Sequence, residues 1–220
     1  MSIELKKRIL TSFFLIVLLV AMYNYSFVMI ISLIIIGIIT WVEFYALISK
    51  IFVKNTLKSK FLRFTFKASS LLYLSLLIFF IIVIESYFIN LKIYFVYSLL
   101  VAIFSDIGGI VFGKFFKGKK LTKISPNKTI SGSIGSFVFS ILLIPFFYKG
   151  QIDQTLTNIF LITIIISLTS QLGDLFISYL KRKAKVKDTS DLLPGHGGVL
   201  DRIDGIIFAI PLGIILFIII

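Results

Sequence analysis

The chain has no cysteine, a single histidine, and ten acidic residues against 23 lysines and arginines. Without cysteine, thiolate metal sites and disulfides are excluded, and redox compartment leaves no trace. The one histidine, His196, falls short of the nitrogen and sulfur ligands that zinc prefers. Neither a tandem repeat nor an inverted pair of broken helices is evident, which argues against a transporter built on internal symmetry. No polar stretch is long enough for an appended soluble domain. The chemistry must therefore lie within a membrane or at its surface.

Hydrophobic residues make up 58% of the 220 positions, and the mean hydropathy is +1.06. Several apolar runs approach the roughly 20 residues needed to cross a bilayer core. They are apolar all round, so lipid is their solvent. The pattern predicts an all-α integral membrane protein, a polytopic bundle of about seven spans over 9–23, 27–49, 68–84, 93–112, 130–148, 156–178 and 203–220. The first follows Lys6-Lys7-Arg8 like a signal peptide, but no small-residue cleavage site precedes the next run, so it reads as a retained span. Residues 1–92 form an expected N-terminal helical region, dimerising or lipid-facing. Residues 93–220 form an expected catalytic region with its loops.

The basic residues give the orientation. Three precede the first span. Six follow the second (Lys50, Lys54, Lys58, Lys60, Arg63, Lys67), and six follow the fourth (Lys114, Lys117, Lys119, Lys120, Lys123, Lys128). Six more lie between the sixth and seventh: Lys181, Arg182, Lys183, Lys185, Lys187 and Arg202. Only Lys92 and Lys149 are left for the other side. By the positive-inside rule the N-terminus and these loops are cytoplasmic, and seven spans place the C-terminus outside. The net charge of +13 is thus an orientation signal that also suits anionic lipid, and no nucleic-acid partner is implied.

Most of the few acids sit on this basic side: Asp106, Asp174, Asp188, Asp191, Asp201 and Asp204. A carboxylate within an apolar helix costs kilocalories unless paired, so such acids are functional candidates. Pairing with a neighbouring lysine for packing alone is the plainer alternative. Gln171, Asp174, Ser178, Lys181 and Lys185 follow helical spacing and predict a polar stripe along the sixth span. Lipid cannot solvate such a stripe, so it lines a cavity or a buried site. Asp201 and Asp204, three apart, share a face if their segment is helical. Acids supplying two or three oxygens suit Mg²⁺, with water and phosphate completing the shell; an N-cap role for Asp201 is the alternative.

Between these acids lies Leu193-Pro194-Gly195-His196-Gly197-Gly198. Glycines let backbone N–H groups approach an anion, and His196 suits a hydrogen bond to phosphate or base. Before the fifth span, Ser125-Pro126-Asn127-Lys128-Thr129 places a lysine beside a helix start, suited to phosphate, with Thr129 or Ser131 as a cap. Gly109 and Gly113 read as close helix packing rather than ligand contact. Glu43, beside Trp41, Phe44 and Tyr45, reads as a snorkelling or structurally paired acid near an interfacial belt.

The run Ser178-Tyr-Leu-Lys181-Arg182, four residues, Lys187-Asp188, then Leu193 to Gly198 and Val-Leu-Asp201-Arg202-Ile-Asp204 resembles the signature of the phosphatidate cytidylyltransferases, or CDP-diacylglycerol synthases. Ser170-Gln171-Leu-Gly173-Asp174 and the Ser125–Thr129 block with Gly132 are similar to that family too. Together they cover about half the chain, roughly 104–205. The N-terminal third agrees only in hydropathy and in a Glu beside aromatics, and the chain is shorter than many bacterial members.

The resemblance implies transfer of CMP from CTP to phosphatidate, giving CDP-diacylglycerol and pyrophosphate, at a bacterial inner membrane. It implies Mg²⁺ on Asp174 and Asp201, with Asp204 added, and a second cation such as K⁺. Asp174, Asp201, Lys128 and Arg202 would serve catalysis. Ser125, Asn127, Lys128, Ser178, Lys181, Arg182, Lys187, Asp188, His196, Gly197 and Gly198 would contact substrate. A homodimer is also implied. Two anions must meet, so charge neutralisation comes first. The phosphate nucleophile is already ionised, so no strong base is needed. A CTP-dependent lipid kinase of the dolichol- or phytol-kinase type is the nearest alternative. A non-enzymatic lipid or anion transporter is a second. A CDP-alcohol phosphotransferase would need a closely spaced acid-and-glycine motif that the sequence does not have.

Overall fold

A computed structural model describes residues 3–122 and 124–220; Lys123, one of the basic-loop residues counted above, lies outside them. Regular structure among the described residues is helical: α1 (Ile3–Asn24), α2 (Ser26–Ile51), α3 (Leu57–Tyr87), α4 (Lys92–Phe116), α5 (Ile130–Ile141), α6 (Ile144–Phe147), α7 (Leu156–Lys183), α8 (Leu200–Ile203) and α9 (Ile206–Ile219). Extended pairing is limited to isolated bridges.

Six described segments are long and apolar enough to cross a membrane: α2, α3, α4 with the short turn before it, α5–α6, α7 and α8–α9. The chain is a polytopic helical membrane protein. Six of the expected seven spans meet this measure of length and apolarity, and α1 stands outside this set. Its first turns carry Lys6, Lys7 and Arg8, which shortens its apolar part.

Helix ends also move. α3 begins at Leu57, eleven residues before the expected span at 68, so part of the second basic loop is helical. Thr56 starts it, accepting a hydrogen bond from Ser59 N at 3.3 Å. Lys67, on the helix rather than in a loop, sets its ammonium over the Tyr45 ring at 3.2 Å, a cation–π contact. The fifth span bends between α5 and α6, with Pro145 in the first turn of α6. The seventh is interrupted at Asp204 and Gly205. α7 ends at Lys183, and Lys185 has φ +57°, so Lys185 is not part of the expected helical stripe.

The chain divides into two compact units. The first comprises residues 1–85 and 180–203, so the signature loop packs with the N-terminal helices, including α8 against α2. The second comprises 86–179 and 204–220. Its core gathers Tyr97, Val101, Ile159, Ile162, Ile166 and Phe217, and the Tyr97 hydroxyl is satisfied by Thr163 Oγ1 at 2.5 Å. α4 and α5 meet glycine to glycine in this unit. A Cβ at Gly108 would strike Gly135 O, and one at Gly109 would come 2.8 Å from Ser136 Oγ. The close-packing reading of Gly109 and Gly113 therefore holds, since Gly113 likewise faces Thr129 and Gly132.

Candidate active site

In the second unit, the chain between α4 and α5 folds into a short hairpin. Leu121 N donates to Lys128 O at 2.8 Å and Ile130 N to Lys119 O at 2.9 Å. A turn closes it, with Lys128 N donating to Ser125 O at 3.1 Å. Thr129 caps α5, its hydroxyl accepting from Gly132 N at 3.0 Å. Turn and cap together fix where Lys128 leaves the backbone, and its ammonium pairs with Asp174 Oδ2. The other oxygen, Oδ1, accepts from Ser178 Oγ at 3.3 Å. Both members of the pair keep about a quarter of their side-chain surface exposed, 26% and 27%, so solvent and solutes can reach them.

One turn before Asp174, Gln171 Oε1 accepts from Ser133 Oγ at 2.6 Å. The expected stripe is thus realised at Gln171, Asp174 and Ser178, each satisfied by a polar partner. Ser125 is half-buried and Asn127 exposed on the hairpin turn. Asp204 is buried, and its Oδ1 accepts from Gly205 N at 2.9 Å. Because the helix breaks at Asp204 and Gly205, Asp201 and Asp204 do not lie on one uninterrupted helix. Gly205 lies tight against α7, where a Cβ would come 2.7 Å from Ser170 O.

In the first unit, the signature loop is arranged about Asp201. Its Oδ2 accepts from Thr189 N at 2.8 Å, Gly198 N at 3.0 Å and Thr189 Oγ1 at 3.0 Å. Its Oδ1 takes the Lys181 ammonium at 2.6 Å, with side-chain exposures of 12% for the lysine and 3% for the aspartate. A buried carboxylate needs this many donors to replace its lost water.

The glycine-rich turn closes on itself, His196 N donating to Leu193 O and Leu193 N to Gly197 O, each at 2.8 Å. Gly197 has φ +80°, a left-handed conformation that favours glycine. A Cβ there would lie 3.1 Å from Asp201 Oδ2 and 3.3 Å from Asp188 Cβ. Arg202 donates through Nε and Nη2 to His196 O at 2.9 and 2.5 Å. His196 Nε2 lies 3.3 Å from Ser12 Oγ, while its Nδ1 is buried with no hydrogen-bond partner. Arg182 reaches Val186 O at 3.5 Å, and Lys187 and Asp188 are exposed.

Sequence reasoning missed several contributors. Thr11 Oγ1 donates toward Pro194 O at 3.0 Å, which together with Ser12 ties the glycine-rich turn to α1. Glu43 is 5% exposed, so it does not snorkel. Its carboxylate accepts from Thr189 Oγ1, Ser190 Oγ, Val199 N and Leu200 N at 2.6–3.0 Å. The one available signal was an acid in an apolar helix, and nothing local to it named partners some 150 residues away.

No group of three or more His, Cys, Asp or Glu side chains able to hold a metal is found among the described residues. The individual acids nonetheless suit a hard cation. Asp174 Oδ2 faces Lys128 and Asp201 Oδ1 faces Lys181, so each acid turns one oxygen to positive charge. Carboxylate oxygens are the ligands Mg²⁺ prefers.

A model of the cytidylyltransferase family matches residues 2–220. The chain is 44% identical over 122 residues to a phosphatidate cytidylyltransferase of Staphylococcus haemolyticus (strain JCSC1435), covering 54% of this chain and 46% of the relative. It is 39% identical over 123 residues to one from Helicobacter pylori (strain J99 / ATCC 700824), covering 56% and 46%. A third, from Rickettsia bellii (strain RML369-C), is 45% identical over 115 residues, covering 49% and 50%. The chain spans about half the length of the curated relatives it matches.

Proposed function

From the cytidylyltransferase family, to which this chain belongs, we propose its activity: transfer of CMP from CTP to phosphatidate, forming CDP-diacylglycerol and pyrophosphate in phospholipid biosynthesis. The relatives' name, phosphatidate cytidylyltransferase, supports the substrates. The observation that carries the reading is the state of the two acids the resemblance singles out. Asp174 and Asp201 are each ion-paired with a lysine, Lys128 and Lys181, that the same resemblance assigns to substrate phosphate.

A phosphatidate phosphate oxygen attacks the α-phosphorus of CTP. One P–O bond forms, and the bond to the pyrophosphate leaving group breaks. Both reactants are anions, so cations must offset their repulsion before they can meet. Lys128, Lys181 and Arg202 supply that charge, and it counts most as negative charge builds on the phosphoryl oxygens. The nucleophile is ionised at neutral pH, so the chain need not hold a general base. Ser125, Asn127, Ser178, Arg182, Lys187, Asp188, His196, Gly197 and Gly198 serve binding and orientation. Asp174, Asp201 and Asp204 would be the residues to hold Mg²⁺, with a monovalent cation such as K⁺ as a second ion. Bound Mg²⁺ would neutralise phosphate charge and polarise the phosphoryl group.

The test gives purified protein labelled CTP, phosphatidate and Mg²⁺. Labelled CDP-diacylglycerol and pyrophosphate are expected. Release of CDP with a phosphorylated lipid would assign a CTP-dependent lipid kinase instead, and no turnover at all would reject an enzyme of either kind.

The same reading places the protein in a bacterial inner membrane with its N-terminus and basic loops cytoplasmic. With α1 counted as a crossing, the C-terminus is external. Cysteine placed at Lys54 of this cysteine-free chain should react only with a cytoplasmic thiol reagent; labelling from outside overturns the orientation. A homodimer predicts a protein mass by light scattering of twice 24.9 kDa, and a monomeric mass rejects it.

A further inference from the structure

Glu43 lies on α2, far in sequence from every residue the reaction uses, yet its carboxylate is where the signature loop closes. Oε1 accepts from Ser190 Oγ at 2.6 Å and Val199 N at 3.0 Å. Oε2 accepts from Thr189 Oγ1 at 2.9 Å and Leu200 N at 2.8 Å. The two ends of the loop, Thr189–Ser190 and Val199–Leu200, are thereby drawn to one carboxylate. All four donors are neutral. Burying an acid without a cation is costly, and it persists only where several hydrogen bonds replace water.

The anchor is joined to the reacting part of the site. Thr189 Oγ1 lies 2.9 Å from Glu43 Oε2 and 3.0 Å from Asp201 Oδ2. One hydroxyl proton thus serves two carboxylates. Thr189 N and Gly198 N complete the hold on Asp201. Gly198 leaves room for this junction: a Cβ there would strike Thr189 Oγ1 and come 2.6 and 2.7 Å from the two Glu43 oxygens. Glu43, Thr189, Gly198 and Asp201 therefore form one packed polar unit.

We propose that Glu43 is a positioning residue for cytidylyl transfer, setting the Asp201 carboxylate through Thr189 and through the backbone of the 189–200 loop. The assignment rests on the function proposed above. A carboxylate has two acceptor oxygens where glutamine has one, so E43Q sets an amide donor against two of the four donors. T189V removes only the bridging hydroxyl and leaves the other three bonds to Glu43, while T189S keeps the bridge.

The full chain in lipid nanodiscs is assayed for pyrophosphate release, and for amide hydrogen exchange without substrate. E43Q should lower kcat about tenfold or more, the scale of losing hydrogen bonds to a charged group, with phosphatidate KM within about twofold. T189V should lower kcat about fivefold, and T189S should restore it to within about twofold. The Val199 and Leu200 amides should exchange about tenfold faster in E43Q. A role confined to folding would lower the yield of active protein without the T189V and T189S difference. Wild-type kcat in T189V, or unchanged Val199 and Leu200 exchange in E43Q, overturns the proposal. If E43Q does not fold, the Thr189 pair decides alone. The exchange readout uses no CTP, so a wild-type protein without turnover would sink the proposed function while leaving the anchor testable.

Discussion

Replacing Asp201 by asparagine tests the electrostatic logic of the signature loop. Asparagine has the same shape, but one oxygen becomes an amide. With its oxygen toward Thr189 N and Gly198 N, the amide nitrogen faces the Lys181 ammonium, which is 12% exposed. With the opposite flip, it faces two backbone donors. Either way a buried cation or two buried N–H groups lose their acceptor. Removing one member of a buried pair costs about 3–5 kcal/mol. Lys181 keeps some water contact, which argues for the lower end. For a chain of this length, about 3 kcal/mol lowers the apparent unfolding midpoint by about 6–12 °C.

The double substitution K181M/D201N removes both charges, and by the same argument should recover most of that loss. Activity should separate from stability. The single and double variants should both fall at least about a hundredfold in kcat, the scale of losing one preorganised charge-stabilising group. The assay is thermal unfolding in detergent micelles beside pyrophosphate release. A D201N midpoint equal to wild type, or a double variant as unstable as the single, would refute the buried-pair reasoning. Full activity in D201N would remove Asp201 from the proposed metal ligands.

Two more predictions follow from contrasts within the structure. Lys128 and Asp174 form the more exposed pair, so K128M should cost no more than about 1 kcal/mol of stability while lowering kcat by about a hundredfold, read from the same melting and release assays; a large loss of stability would mean that the pair is structural. G108A should destabilise by about 1–3 kcal/mol, because its Cβ meets Gly135 O across the α4–α5 contact. G150A, where nothing lies within 4 Å, should change stability by less than about 0.5 kcal/mol; equal melting of the two variants would contradict the close-packing account.

What could be read from the sequence was what depends on neighbours along the chain. Hydropathy located the long apolar helices because twenty residues of one character need no tertiary information. Helical spacing located Gln171, Asp174 and Ser178 on one face, and their partners Ser133 and Lys128 lie on the preceding span and the turn before it. The extension of α3 back to Leu57 was hidden because basic residues signal a loop by composition, while helix propensity and the Tyr45 ring accept Lys67. The break at Asp204 and Gly205 was hidden for a different reason. Hydropathy is continuous across these residues, and the close approach of Gly205 to Ser170 is a contact made through space. Glu43 was read from its immediate neighbours as an interfacial acid, yet its donors come from Thr189 to Leu200.

The partners of the acids differ in a way that suits chemistry between two anions. The proposed reaction joins two anions, so it calls for cations held at set places. Asp174 and Asp201 hold lysines, and each such pair keeps the lysine ordered and charged at a set place. Glu43 has the heavier structural task, gathering both ends of the loop, and does it with two hydroxyls and two backbone amides. Had Lys181 been drawn to Glu43 instead, the loop would be equally closed but Asp201 would lose its counter-charge. Introducing a competing cation tests this division directly. S190K puts an ammonium within reach of Glu43 Oε1, and it should leave the loop closed, with Val199 exchange within about twofold of wild type. Pyrophosphate release should still fall about tenfold, because the neutral junction at Thr189 is pulled from Asp201. Unchanged release in S190K would mean that the neutrality of the anchor has no bearing on the reaction.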